Sequence, residues 1–128
     1  MRSNRGVVEA YFAAINADRF ADLGPLWHPE GELHAVGAPP RVGRDAVVAH
    51  FPAVLGSYAK HHDQVTRWIE AGDTLVTEIR FSGELVDGRP VEFEAVDVFD
   101  LLDGVIVRLG SWYDTRAVAR MVRPGPRP

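Results

Sequence analysis

Apolar positions change period along this chain, and the change splits it into a helical part and a strand part. Val8, Tyr11, Phe12 and Ile15 recur at three- and four-residue intervals, with Ser3 or Asn4 available to cap the start, which predicts a first helix. Phe20, Leu23, Leu26 and Trp27 continue the helical pattern, but Gly24-Pro25 interrupts it and predicts a kink or an early stop. Residues 31 to 36 read as a short strand. Gly43-Arg44-Asp45 then opens a third helix carrying Val47, Val48, Phe51 and Leu55, which Pro52 is expected to bend or end. From residue 60 the pattern alternates. Runs at about 60–70, 74–82, 90–101 and 104–114 are rich in Val, Ile, Phe and Thr, and Ala71-Gly72-Asp73, Asp87-Gly88 and Asp103-Gly104 punctuate them as hairpin turns. Helices first and an antiparallel meander afterwards predict an α+β fold, with three N-terminal helices packed on one face of a curved sheet.

The two-residue period sorts side chains by face. Phe93, Ala95, Asp97 and Phe99 fall on one side of their strand, and Glu94, Val96 and Val98 on the other. A carboxyl group among Phe, Ala and Phe loses hydration, which raises its pKa. If Asp103-Gly104 is the hairpin turn, Leu109, Ser111 and Tyr113 face the same side as Asp97. An apolar concavity holding a few polar groups is the usual form of a small-molecule site.

Composition narrows the function classes. A chain of 128 residues, 46% hydrophobic and 25% charged, has the size and balance of one globular domain. The domain is expected over 1–118 and a Pro/Gly/Arg-rich tail over 119–128, where the terminal MVRPGPRP should fray. There is no cysteine, hence neither a disulfide nor a thiolate metal site. His61-His62-Asp63 is a poor chelate, because adjacent strand residues point to opposite faces; no metal is expected. A net charge of −4, with acidic and basic residues interspersed, argues against nucleic acid as a partner. No apolar run approaches ~18 residues, and MRSNRGVVEAYF lacks the apolar stretch and cleavage site of a signal peptide. No membrane association is expected, and the cytoplasm is the expected location.

Tyr11 lies in VEAYFAAINADRF, His34 in LWHPEGELHAVG and Asp97 in EFEAVDVFDLLDGVIVRLGSWYD. In order and spacing these segments resemble the ketosteroid isomerase and SnoaL-like cyclase group of the NTF2-like superfamily, over residues 7 to about 116. The resemblance implies a cone-shaped α+β fold with a deep pocket. In ketosteroid isomerase a helical Tyr and a protonated Asp on a late strand form an oxyanion hole, while a second Asp on an early strand moves the proton. Tyr11 and Asp97 match the first pair. His34 stands in the place of the base, and Phe51 where some members carry a second Tyr. Histidine, with an ordinary pKa near ~6.5, suits a general base at neutral pH. The resemblance further implies that Glu78 and Arg80 enter the pocket to hold an acidic or polar substrate group, beside Phe93, Ser111 and Tyr113, and that Asp114 lies at the rim. It also implies a homodimer through the open sheet face, to which outward Val96, Val98 and Ile106 would contribute.

The implied activity is that of an acid–base enzyme, a cyclase or isomerase without metal or organic cofactor. It would act through an enolate on a hydrophobic carbonyl compound such as a polyketide or a steroid-like molecule. Two other readings stay open: a non-catalytic small-ligand-binding protein, and an epoxide hydrolase. The latter requires an Arg two residues before the strand Asp, where this chain has Ala95. Structural roles compete residue by residue. Tyr11 also suits a core aromatic, His34 a structural strand residue, and Asp97 an ion pair with Arg80. Glu78 and Arg80 also suit a solvated cross-strand pair worth at most ~1 kcal/mol.

Overall fold

The computed structural model describes residues 2–124. Helix α1 (Asn4–Asn16) starts at Ser3, whose side chain accepts a hydrogen bond from the Gly6 N–H. It buries Val8, Tyr11, Phe12 and Ile15, the face read from the sequence. The expected second helix does not form as one. Residues Phe20–Asp22 and Gly24–Leu26 make two single 3₁₀ turns, and Trp27 already begins strand β1 (Trp27–Ala35). Pro25 lacks an N–H and its ring obstructs the preceding turn, so an α-helical ladder cannot pass through it. Leu23, Leu26 and Trp27 are buried nonetheless. Strand β2 (Arg41–Val42) pairs with β1, and helix α2 (Arg44–Leu55) follows. Pro52 lies inside α2, and the helix runs on to Leu55 before stopping.

Strands β3 (Tyr58–Ala71), β4 (Thr74–Leu85), β5 (Pro90–Leu102) and β6 (Val105–Tyr113) form the meander. The sheet order is β2-β1-β6-β5-β4-β3, with β1 parallel to β6 and the other neighbours antiparallel. Asp103 and Gly104 both have positive φ, 51° and 79°, as a two-residue type I′ hairpin requires. Register irregularities in β1, twice in β3, and in β5 at Asp100/Leu101 add local twist, which curves the sheet. Helices α1 and α2 pack into the concave side. Phe99, fully buried, meets Tyr11 and Phe12 there with ring centroids 5.2 and 5.8 Å apart. Among the described residues no helix is long and apolar enough to cross a membrane.

Three details differ from expectation. The irregularity at Asp100/Leu101 shifts the pairing so that Ile106 opposes Leu101; Ile106 is fully buried in the core rather than outward. Val96 and Val98 do lie on the convex face, half-buried, where Trp112 is 53% exposed. Asp114, expected at the pocket rim, caps a further helix, α3 (Thr115–Val122), by accepting from the Ala117 N–H at 2.9 Å. That helix crosses the expected start of the tail at residue 119. Met121 packs on the small cluster of Phe81, Leu85 and Val91, which holds the first residue of the segment expected to fray. Residues 125–128 of the tail lie outside the described residues.

Candidate active site

The concave side of the sheet is not filled to its floor. Between α1, α2 and the strands lies a cavity of about 330 Å³ whose walls are mainly apolar, among them Ile15, Leu33, Phe51, Ile79, Phe81 and Leu109. Tyr11, Asp63 and Asp97 line it together. Helical spacing turns Tyr11 inward, where it is 4% exposed. Its ring stands edge-on to Phe12, Phe51 and Phe99 at 5.0, 5.7 and 5.2 Å, so the phenol direction is fixed by packing. Strand β5 brings Asp97, 7% exposed, from the opposite wall. Its neighbours across the sheet are Thr77 and Ser111, and the Thr77 hydroxyl donates to the Asp97 backbone carbonyl at 3.1 Å.

Asp63 comes from the edge strand β3. The Asn16 side chain clamps its backbone in both directions: the Asp63 N–H donates to Asn16 Oδ1 at 2.8 Å, and Asn16 Nδ2 donates to the Asp63 carbonyl at 2.9 Å. Asn16 ends the helix that carries Tyr11, so one short element fixes the phenol and the carboxylate relative to each other.

Electrostatics separates the roles of the two carboxyls. Burial raises Asp97 to about 7, the Ser111 hydroxyl opposes this, and the charge of Asp63 adds to it. Burial raises Asp63 to about 6, while His61 and His62 pull it back. Asp63 is therefore the first of the two to ionise as pH rises, and its charge helps to hold the proton on Asp97. Tyr11 stays protonated: burial first, then the charges of Asp97 and Asp63, push its pKa well above the ordinary phenol value. The cavity thus sets two carboxyls of raised pKa beside the Tyr11 hydroxyl in a mostly apolar wall, to which Ser111, Tyr58 and Tyr113 add further hydroxyls. Two buried carboxyls that ionise one after the other suit an acid–base pair.

Residues 8–109 match the family model of the SnoaL-like domain. The chain belongs to the SnoaL-like domain family. No curated protein matches its sequence. Solved structures agree with the SnoaL-like assignment and with its NTF2-like fold. An NTF2-like protein of unknown function from Burkholderia pseudomallei superposes with a TM-score of 0.88 at 19% identity, over 97% of this chain and 100% of that one. A Jannaschia protein assigned to the SnoaL-like polyketide cyclases gives 0.87 at 18% identity, over 98% and 99%. An epoxide hydrolase from M. tuberculosis, of the kind termed LEH-like, gives 0.76 at 18% identity, over 91% and 89%. At such identities the likeness establishes the fold.

In this SnoaL-like chain Phe51, Phe93, Ser111 and Tyr113 line the cavity together with Tyr11 and Asp97. His34 does not. Leu33 and Ala35 on β1 turn into the cavity, opposite Leu109 and Ser111, so the residue between them must turn outward. There the His34 Nε2 meets Glu32 Oε1 at 3.1 Å. Glu78 and Arg80 are also on the outer face, because Ile79 and Phe81 take the inner one. Glu78 approaches Arg67 at 3.7 Å and Arg80 approaches Glu94 at 3.9 Å, both as exposed pairs. Asp97 has no ion pair with Arg80, and no Arg or Lys lines the cavity among the described residues. Together with Ala95, this removes the cation that the epoxide-hydrolase reading required.

Asp63, His50 and Tyr58 are cavity residues that the sequence reading did not select. Asp63 shares its strand face with His61, whose imidazole is only 4% exposed and whose Nε2 lies 2.6 Å from Asp18 Oδ1. Asp18 has a positive φ of 56° in the turn that ends α1, where the Asp18 and Arg19 N–H groups donate to the Ile15 and Ala14 carbonyls. His61 is one of two imidazoles that lower the Asp63 pKa. In His61→Gln, the Asp63 carboxyl is expected to titrate above about 6, measured by carboxyl ¹³C chemical shift against pH. An unchanged midpoint would show that His61 has no electrostatic hold on Asp63.

Proposed function

We propose that this protein is an acid–base enzyme that enolises a hydrophobic carbonyl compound, with Asp63 as the base and Tyr11 and Asp97 as the oxyanion donors. The observation that carries this reading is the convergence of two carboxyls of raised pKa and the Tyr11 phenol in a single mostly apolar cavity. In the first step the Asp63 carboxylate takes a proton from the carbon next to the carbonyl. The C–H bond pair becomes the new C=C bond, and the carbonyl π pair moves onto oxygen. The Tyr11 and Asp97 O–H groups donate to that oxygen as its charge develops, which is where such donors act most strongly. Return of the proton at another carbon is isomerisation; attack of the enolate carbon on a second carbonyl of the same molecule is ring closure. Asp63 replaces His34 in the role of base, since a base must lie within hydrogen-bond reach of the proton it takes. A volume of about 330 Å³ suits a ligand of two or three fused rings.

Deuterium incorporation tests this without knowledge of the natural substrate. With 2-tetralone in D₂O near pH 7, the protein is expected to accelerate exchange of the protons next to the carbonyl, read by proton NMR. Added 2-naphthol, the flat hydroxyl analogue of the enol, should suppress it. Exchange at the buffer rate would reject the enolisation chemistry and leave a binding protein.

A further inference from the structure

A second cavity, of about 280 Å³, adjoins the first. Leu33, Ala35, Ala38 and His50 line both, and Pro39, Pro40 and Arg41 complete this annex. Its polar side chains are His50 and Arg41. Arg41 pairs in register with Leu33 on β1, so its side chain leaves β2 on the cavity face of the sheet. No ion pair engages it among the described residues.

His50 stands in the wall shared by the two spaces. Burial, then the charge of Arg41, lowers its pKa, so the ring is neutral near pH 7. Its Nδ1 is shut off from solvent without a partner. An orphaned buried N–H is rarer than an under-satisfied acceptor, so the proton belongs on Nε2, the ring nitrogen that is not enclosed. The annex thus offers an N–H and a guanidinium, with no acidic side chain among the described residues of its wall. The main cavity has the reverse character: its ionisable acids are Asp63 and Asp97, and among the described residues no Arg or Lys lines it.

We propose that this annex binds the carboxylate of the substrate, while the carbonyl to be enolised lies at Tyr11 and Asp97. The inference rests on the enolisation reading for the position of the second end. It names the substrate class as an aromatic or polycyclic keto acid with its acid group remote from the reacting carbonyl. Arg supplies the planar fork that a carboxylate fits, and His50 supplies the second donor. The two cavities then divide the ligand by charge: neutral rings over Phe51 and Ile79, the anion at the annex, and no anion beside Asp63.

Two rigid probes separate this proposal from the reading on which it rests. 2-Naphthol carries only the enol-like hydroxyl, and 6-hydroxy-2-naphthoate adds a carboxylate at the far end. Titration calorimetry on the full chain is expected to show the naphthoate binding at least tenfold more tightly. In Arg41→Gln the ratio of the two affinities should fall to about 1, and His50→Phe should reduce it in part. In Asp97→Ala both affinities should fall while the ratio persists. Naphthoate that binds no better than naphthol, that fails to bind, or whose advantage survives Arg41→Gln overturns the annex as a carboxylate site. A ratio that depends on Arg41 in a protein whose affinities ignore Asp97 would uphold the annex and reject the oxyanion site.

Discussion

Replacing Asp97 with alanine is expected to slow enzyme-catalysed exchange of 2-tetralone protons by about 10²–10³-fold, the usual cost of removing one oxyanion donor from a preorganised site. The effect should be large because the cavity offers few substitutes. Of the other hydroxyls in its wall, Ser111 is already engaged with the same carboxyl, and Tyr58 and Tyr113 stand against Phe81 and Phe93 rather than in the Phe51 and Phe99 cluster that holds Tyr11. Affinity for 2-naphthol should fall in the same variant, since the hydroxyl of that probe sits where the enolate oxygen develops. Asp97→Asn should lose less, because an amide N–H still donates, though from a far weaker acid. A urea-unfolding curve for each variant separates a lost donor from a lost fold. Full exchange activity in a folded Asp97→Ala protein would mean that Asp97 is a structural carboxyl and that Tyr11 acts without it.

Tyr11 and Asp97 were legible in the sequence because each interrupts a clean pattern. Asp97 is the polar member of an apolar strand face, Phe93, Ala95, Phe99, and Tyr11 falls on the buried stripe of an evident helix. His34 misled because likeness of segment fixes a residue's place along a strand, whereas function depends on which face it takes. That face is set by Leu33 and Ala35, one position away on either side. The same parity governs Glu78 and Arg80, where the alternation with Ile79 and Phe81 already marked the apolar side as the inner one. Asp63 was hidden for a different reason. Strand β3 lies at the sheet edge and carries polar residues on both faces, so no alternation singles out its inner side. What pins Asp63 is Asn16, 47 residues earlier in the chain, a contact that no local pattern reports. Ile106 depended on an irregularity in β5, and helix α3 on the Asp114 cap and the docking of Met121, both obscured by a Pro- and Gly-rich ending.

The buried carboxyls should also be visible in stability. Asp97 titrates at about 7 in the folded chain against an ordinary value of 3.8, so the native state holds a proton that the unfolded state has released. Stability from this group is complete below the unfolded value, declines as pH rises, and is lost once pH passes about 7. At about 1.4 kcal/mol per pH unit, the window amounts to roughly 4 kcal/mol. Asp63, raised to about 6, acts with the same sign between 3.8 and 6. Asp97→Asn keeps the shape of the side chain and removes its ionisation. Relative to wild type it should therefore gain up to about 4 kcal/mol between pH 4 and pH 8, measured as unfolding free energy in urea at half-unit steps. Taking the difference between the two proteins removes every titration they share, including that of Asp63 to the extent that it is independent of position 97. Parallel pH profiles would place the Asp97 carboxyl in ordinary solvent and leave the cavity without its neutral acid. The expected divergence would instead show that the fold sacrifices stability at neutral pH to keep a carboxyl in the dry cavity, and that asparagine recovers this stability at the expense of the acidic proton.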